Sequence, residues 1–359
     1  MFKYFFPENN PERTLISFLL IYSFAFLFLA FIYPVVFAVI VCVFAFVIIA
    51  EPIIYFIMRL KPISRVIAGV LTLLIFFAGI LLLLFFLVPS LIQEAGNFYS
   101  FLVKFFERRE WEQFFPDNPE IAQNITDMVL SIQPKVLQLV QSGLDYATRV
   151  TPTALTFLFY VVLGMVYLVF YLPSFKINAG FLFPNHCRDQ AVEFLRDVYT
   201  LIRRFLFSIV IVGMIVGVII GIMLAIMGSR YSLLMGFWGF FTNLIPIVGV
   251  VFEVIPLFIL SFSLGIQTTF LIAVIILFLH TGAFILFLFL MKGYAKLNPV
   301  ATILLILLFS QIFGVMGSLI AVPFGLTFKV FWKRFISPYF EKDRTIREED
   351  RVGSNSEGG

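Results

Sequence analysis

The sequence predicts an all-α, polytopic membrane protein of about six transmembrane helices plus two broken, re-entrant helical hairpins. Three observations lead there. The first is composition: 359 residues that are 61% hydrophobic and 13% charged, with a mean hydropathy of +1.05. A soluble domain is about 45–50% apolar and about 25% charged. The second is segregation of charge. Eight apolar windows (15–32, 35–50, 66–88, 153–172, 206–227, 233–262, 268–290 and 300–327) hold 180 residues, one formal charge (Glu253) and one histidine (His280), and the other 45 charged residues lie elsewhere. A charge at the bilayer centre costs about 2.5–3.5 kcal/mol even on the lenient insertion scale, so a hydrocarbon solvent demands such a pattern. The third is continuity: the runs lack the two-residue alternation of barrel strands, which leaves helices as the spanning element.

Taken in order, windows 15–32 and 35–50 are two antiparallel helices joined by a tight turn at Tyr33-Pro34. The first is longer than the usual apolar core of a secretory signal, about 7–15 residues, and reads as a retained helix. Arg59, Lys61 and Arg65 follow, then a third helix, so that residues 1–88 carry three membrane helices. Glu51, beside Pro52, is expected to pair with Arg59, Lys61 or a neighbouring chain. Residues 89–152 form the one long polar segment. Leu91, Ala95, Phe98, Leu102 and Phe105 recur at helical spacing, and Ile121, Ile125, Met128, Ile132, Val136 and Leu139 form a second apolar series interrupted by Pro134. Two amphipathic extramembrane helices are expected, as a solvated or interfacial cap or as a substrate-gating arm. Residues 153–340 form the transport core: a helix at 153–172, a polar stretch at 173–205, a helix at 206–227 and the two long windows. The tail 341–359 is charged, then rich in Gly and Ser, and is expected to be disordered.

Lysine and arginine near the membrane set the orientation. Loop 51–65 has three basic residues to one acid and loop 173–205 has five to three, which puts both termini in the cytoplasm and segment 89–152 outside. Windows 233–262 and 300–327 have 30 and 28 residues, where one span needs about 20. The first is interrupted by Pro246, Gly249 and Pro256, the second by Gly314, Gly317 and Pro323. If both cross, there are eight full spans and Lys292 and Lys296 fall outside. If both are hairpins, there are six and these lysines fall inside, as the positive-inside bias prefers. Helices 206–227 and 268–290 with their hairpins would then be related by inverted topology, the arrangement from which many secondary transporters build a midplane site.

Several function classes are excluded. The basic residues lie scattered in short loops and give no nucleic-acid footprint. Two cysteines, Cys42 and Cys187, make no disulfide framework. With His186 and His280 as the only histidines there is no HExxH pair, and no GxxxxGK[ST] phosphate loop or intramembrane aspartate occurs. No enzyme, metal site or cofactor is expected; energy for transport must come from a gradient or another subunit. Glu253 is the leading candidate residue, because an acid inside an apolar window between two prolines is functional by default and suits a proton or cation site. Its bland alternative is a place at the membrane edge or in a subunit contact. Asn243 and Thr242 can hydrogen-bond a polar solute. Ser310, Gln311 and Ser318 are the matching polar groups of the second window, and Asn298 before Pro299 reads as a helix cap. His280, beside Thr281 and Gly282, is a satisfied neutral side chain between packed helices or a proton relay with Glu253. Gly213, Gly217 and Gly221 form a GxxxGxxxG face suited to close helix packing.

The runs LFPNHCRDQAVEFLRDVYTLIRRFL, NLIPIVGVVFEVIP and LNPVATILLILLFSQIFGVMGSLIAVPFGLTFKV together resemble the autoinducer-2 exporter family of bacterial permeases, most specifically from Leu182 to Val330. By position Asn243, Pro246, Gly249 and Pro256 match one family signature, and Pro299, Gly314, Gly317, Ala321 and Pro323 match the other. Glu253 stands where members more usually carry apolar or small residues, and His280-Thr281 where an acidic-polar pair is expected. The resemblance implies a multi-pass inner-membrane exporter, a homo-oligomer of five subunits, and movement of an elevator kind. Small hydrophilic signalling molecules and sodium/proton exchange are the activities it implies. The expected function is therefore gradient-driven export of a small polar solute, with its site between the two broken windows. A sodium (lithium)/proton antiporter using Glu253, with the proton or sodium as coupling ion, and a non-transporting membrane scaffold are the alternatives. Lipid, the solute and further copies of the chain are the expected partners.

Overall fold

The computed structural model describes residues 10–60, 62–82, 85, 87–109, 111–112, 119–149, 151–246, 248–262, 264–291, 298–338 and 340, and no strand occurs among the described residues. Their α-helices are α1 (Pro11–Ile32), α2 (Pro34–Leu60), α3 (Arg65–Leu82), α4 (Val88–Glu107), α5 (Pro119–Arg149), α6 (Thr151–Asn178), α7 (Arg188–Ile226), α8 (Ser232–Thr242), α9 (Val248–Phe262), α10 (Ile266–Leu290) and α11 (Pro299–Phe331). Among the described residues, six helices are long and apolar enough to cross a bilayer: α1, α2, α3, α6, α7 and α10. The chain is thus an all-helical, multi-pass membrane protein. Lys292, Lys296 and the tail lie outside the described residues.

Helix starts follow local chemistry. The Asn10 side chain accepts from the Arg13 amide at 3.3 Å ahead of Pro11, and Asn298 accepts from Val300 at 2.9 Å ahead of Pro299, both caps with proline at the first helical position. The Tyr33-Pro34 turn separates α1 from α2, whose Phe26 and Phe37 rings meet at 4.7 Å. Two expected interruptions do not occur. Pro134 lies inside the continuous α5. Residues 188–205 are the first half of the 39-residue α7, so the polar stretch after 173 is mostly helix: its charged residues mark an amphipathic half, not a loop.

The chain divides into two compact units, residues 1–49, 167–206 and 294–359, and residues 50–166 and 207–293. In the first, Leu15, Phe183, Cys187, Ala191, Phe194 and Phe335 form one buried cluster. The Tyr22 hydroxyl donates to the Leu182 carbonyl at 2.6 Å, and the Arg334 guanidinium pairs with Glu193 and, at 3.4 Å, with Asp197. The same unit holds α11, which is not a straight rod. Gly314 has φ +62° and ψ −150°. The Phe309 and Phe324 ring centroids lie 4.9 Å apart, whereas 15 residues of straight helix would separate them by roughly 22 Å. The helix therefore folds back at Gly314 into a hairpin. Gly317 is a close-approach point in it, and Pro323 does not interrupt the second arm.

In the second unit Glu51 is buried and pairs with Arg65 at 3.8 Å; Lys61, an expected partner, lies outside the described residues. Arg65 also donates to the Tyr55 hydroxyl at 3.2 Å. The core joins α4, α7, α8, α9 and α10: Phe98, Leu102, Phe105, Phe106 and Trp111 pack with Val216, Ile220, Leu224, Leu257, Leu260 and Ile272. The apolar stripe of segment 89–152 is therefore buried against the apolar windows. In α5 the packed residues are Val129, Val136, Leu137 and Val140, while Met128 and Leu139 are exposed. The face is rotated from the expected series because the partner is a helix core, not a flat interface. On α10 the buried residues Thr269, Ile272, Ile276 and Ala283 form one narrow stripe that also carries His280. The remaining surface (Phe270, Phe278, Phe284, Phe289) is exposed and apolar, as a helix bathed in lipid requires.

Candidate functional site

Window 233–262 is two helices, α8 of 11 residues and α9 of 15, folded back on each other. Gly249 closes the turn. A Cβ there would stand 1.7 Å from the Thr242 carbonyl oxygen, so only glycine lets α9 leave at this angle. The break lies at residues 243–246, where Ile245 N–H donates to the Thr242 carbonyl at 3.0 Å and Pro246 contributes no N–H. Pro256, expected as a further break, sits inside α9. Its missing N–H frees the Phe252 carbonyl, and the Trp238 indole N–H of α8 donates to that oxygen at 3.0 Å. A carbonyl that might have faced a ligand is satisfied across the hairpin instead.

Behind this hairpin runs the glycine face of α7. A Cβ on Gly217 would meet the Gly236 carbonyl oxygen at 2.5 Å, and one on Gly236 would meet the Gly217 carbonyl oxygen at 2.8 Å. Gly213 and Gly221 border the same seam, against Phe240 and Ser232. The two backbones touch because neither helix has side chains there.

The hairpin holds one charged side chain. Glu253, on the second turn of α9, is 1% exposed. Its Oε1 lies 3.1 Å from His280 Nε2 of α10, and its Oε2 accepts from the Asn243 side-chain amide. That amide also donates to the Gly239 carbonyl at 2.7 Å. A carbonyl can only accept, so the bond to Gly239 fixes which end of the amide faces the carboxylate. Gly239 leaves room for the group: a Cβ there would lie 3.6 Å from the Glu253 carboxyl carbon. Glu253 is therefore buried within its own unit, between Asn243 and His280. The Thr242 hydroxyl is turned to its own helix, donating to Trp238 O at 2.8 Å and Gly239 O at 3.2 Å.

The far end of α8 shows a residue that the sequence patterns did not single out. Glu94 of α4 accepts from the Leu234 backbone N–H at 2.9 Å, capping the first turn of α8, where unpaired N–H groups and the helix dipole favour an anion. Tyr231, just before α8, donates to the Asn97 carbonyl at 3.3 Å and packs edge-on against Phe98 at 5.3 Å. Burial pushes the Tyr231 phenol above its ordinary value, with Arg230 opposing and Glu94 adding, so it stays a neutral donor. Only the amphipathic pattern of α4 hinted at this contact.

In the hairpin of α11, Ser310 donates to its own helix at Leu307 O, 2.9 Å, Gln311 is exposed and Ser318 is buried. Asn243, Glu253 and His280, by contrast, contact one another directly. Among the described residues no group of three or more His, Cys, Asp or Glu is placed to hold a metal.

The profile of the AI-2E family transporters matches residues 15–337. A Thermotoga maritima protein named "Putative transport protein" is 36% identical over 310 residues, covering 86% of this chain and 91% of that one. A second T. maritima protein of the same name is 25% identical over 78% of this chain and 84% of its own length. "Putative transport protein YrrI" of Bacillus subtilis is 23% identical over about half of each, 50% and 52%. With a family match spanning nearly its whole length and the six long apolar helices beside two hairpins, this chain belongs to the AI-2E transporter family.

Proposed function

We propose that the chain is a secondary transporter that exports a small hydrophilic signalling molecule or metabolite from the bacterial cytoplasm, with Asn243, Glu253 and His280 at the first hairpin as the working groups. It sits in the inner membrane with both termini cytoplasmic, works as a homo-oligomer and moves by elevator-like alternating access; family membership supports these features. The observation that carries the reading is a carboxylate 1% exposed between a helix break and a histidine, in helices otherwise without charge. Keeping an ionisable group in apolar surroundings costs free energy that a purely structural hairpin avoids by using Leu. Gly213, Gly217 and Gly221, together with Gly236, give α7 and α8 a smooth contact along which the hairpin can slide. A gradient supplies the energy, since the chain carries no phosphate-binding loop.

The test compares small polar metabolites in the medium and in extracts of cells producing the chain or its Glu253→Gln variant at equal membrane levels. The wild type should deplete at least one compound inside and enrich it outside, and Glu253→Gln should not. Identical profiles in wild type, variant and empty cells would remove the exporter reading. The second reading, sodium or lithium/proton exchange, is favoured by the same ionisable pair. It predicts that a sodium or lithium pulse alkalinises or acidifies the lumen of pyranine-loaded proteoliposomes in a Glu253-dependent way.

A further inference from the structure

We infer that Glu253 and His280 form a binding site for a proton and not for a metal cation, so that within the transporter reading above, on which this rests, the coupling ion is H+. Sodium and lithium are held by several oxygens. Here both carboxylate oxygens face nitrogen: the Asn243 amide donates to Oε2, and His280 Nε2 lies 3.1 Å from Oε1, as donor or acceptor according to its tautomer. The neighbouring carbonyls already accept hydrogen bonds, Gly239 O from the Asn243 amide, Phe252 O from Trp238, and the carbonyls of Trp238 and Gly239 from the Thr242 hydroxyl. A cation entering this shell would meet an amide donor at one oxygen of the acid and a ring nitrogen at the other.

A proton fits the same shell without rearrangement. With one added proton the pair is either a carboxylic acid donating to a neutral imidazole or a carboxylate beside an imidazolium, and both forms are neutral overall. Asn243 donates to Oε2 in either. Removing that proton leaves one net negative charge among apolar side chains, a costly state, so release goes with an opening of the hairpin that admits water or solute. No other titratable side chain lies on α7 from Phe207 onward, on α8, on α9 or on α10. Arg230 and Tyr231 precede α8, and Glu94 of α4 caps its first turn. The 11 residues of α8, about 16 Å at 1.5 Å per residue, separate them from Asn243.

Because the chain has two histidines, 15N-histidine labelling of the full chain in nanodiscs gives two imidazoles, and His186→Gln, at an exposed loop position, assigns His280. Three arms then read the pair. A pH titration in choline chloride should move His280, and Glu253→Gln should change its apparent proton affinity about tenfold or more, the scale of one pKa unit, while leaving His186 unchanged. Adding NaCl or LiCl at fixed pH should leave His280 where choline chloride leaves it. A sodium- or lithium-specific shift, or a His280 titration indifferent to Glu253→Gln, would overturn the proton site. The salt arm uses unmodified protein, so it decides the matter even if Glu253→Gln does not fold. Solute flux is not read here: a proton-binding pair in a chain that moves no solute refutes only the transporter reading, and a cation-responsive pair in an active exporter refutes only the proton.

Discussion

The hairpin of α8 and α9 and the hairpin within α11 both fold apolar helices back on themselves at a glycine-dependent turn, but by different means. The first turns through residues 243–246 with Asn243 at φ −69° and relies on Gly249 for clearance. The second turns at one residue, Gly314, at φ +62° and ψ −150°, a region open essentially to glycine alone. The first gathers a buried acid, an amide and an imidazole, whereas in the second Ser310 bonds its own helix and Gln311 is exposed. Turn geometry and polar content are thus independent: one fold element is built twice, and in the first copy it encloses a charge.

The largest effect should come from the clearances the two hairpins share. A Cβ at Gly249 would lie 1.7 Å from Thr242 O, and one at Gly317 would lie 1.9 Å from Phe309 O. In both cases the obstacle is backbone, which cannot rotate aside as a side chain can. Gly249→Ala and Gly317→Ala should each cost about 3 kcal/mol or more, at or beyond the upper end for overpacking, read as lost folded yield or a large fall in Tm in detergent. Gly282→Ala, where a Cβ meets nothing within 4 Å, should be neutral or slightly stabilising because Ala favours helix by about 1 kcal/mol over Gly. Equal tolerance at all three positions would mean that the hairpins are not closed as described.

Next come the contents of the first hairpin. Glu253→Leu leaves one N–H of the Asn243 amide and the His280 Nε2 without their partner, a loss of about 1–3 kcal/mol. Adding His280→Leu should restore part of it, because removing both partners is milder than removing one. Gln311→Leu in the second hairpin, at an exposed site, should stay within about 0.5 kcal/mol. A double variant no better than the single one would show that Glu253 and His280 are not energetically coupled.

How much of this contrast can be read from sequence varies by residue. Hydropathy and charge segregation disclose six spans and two interrupted windows, because lipid imposes one rule on every residue it touches. The interruptions are legible as residue types but not as positions. Pro256 and Pro323 look like breaks, yet both are carried inside helices, the first because Trp238 supplies the donor that Phe252 O lacks. Asn243 and Glu253 are ten residues apart across a turn, so their meeting follows once a hairpin is assumed. His280 lies 27 residues from Glu253, and only the buried stripe of α10 brings it in. Glu94 is 140 residues from Leu234, and no local pattern distinguishes an acid that caps a remote helix from one that faces water.

A smaller effect tests the turn of the second hairpin alone. Gly314→Ala meets no neighbouring atom within 4 Å, so any penalty is conformational, about 1–3 kcal/mol for a side chain forced into that φ and ψ. The matching change in the first turn, Asn243→Ala, has no such strain because φ is already negative; it removes the amide donor to Glu253 instead. Thermal unfolding of the two variants with and without Glu253→Leu separates the causes. The Gly314 penalty should not depend on residue 253, whereas the Asn243 penalty should shrink once the carboxyl partner of its amide is gone.

The smallest expected effect concerns the anchor at the start of the first hairpin. Glu94 supplies one acceptor to the Leu234 N–H and a negative charge at the start of α8, and removing a helix cap costs about 0.5–2 kcal/mol. Glu94→Gln keeps an acceptor and loses the charge, so it should cost less than Glu94→Ala, and the difference between the two should shrink in high salt, which screens the charge–dipole part. Amide exchange sharpens the measurement: the N–H of Leu234 should lose protection in Glu94→Ala, while amides near Gly314 in the second hairpin, which belongs to the other compact unit, should not change. Equal exchange at Leu234 in wild type and variant would mean that α4 packs beside the hairpin without holding it. The start of α8 would then depend on the Tyr231 contacts with Asn97 and Phe98 for its position.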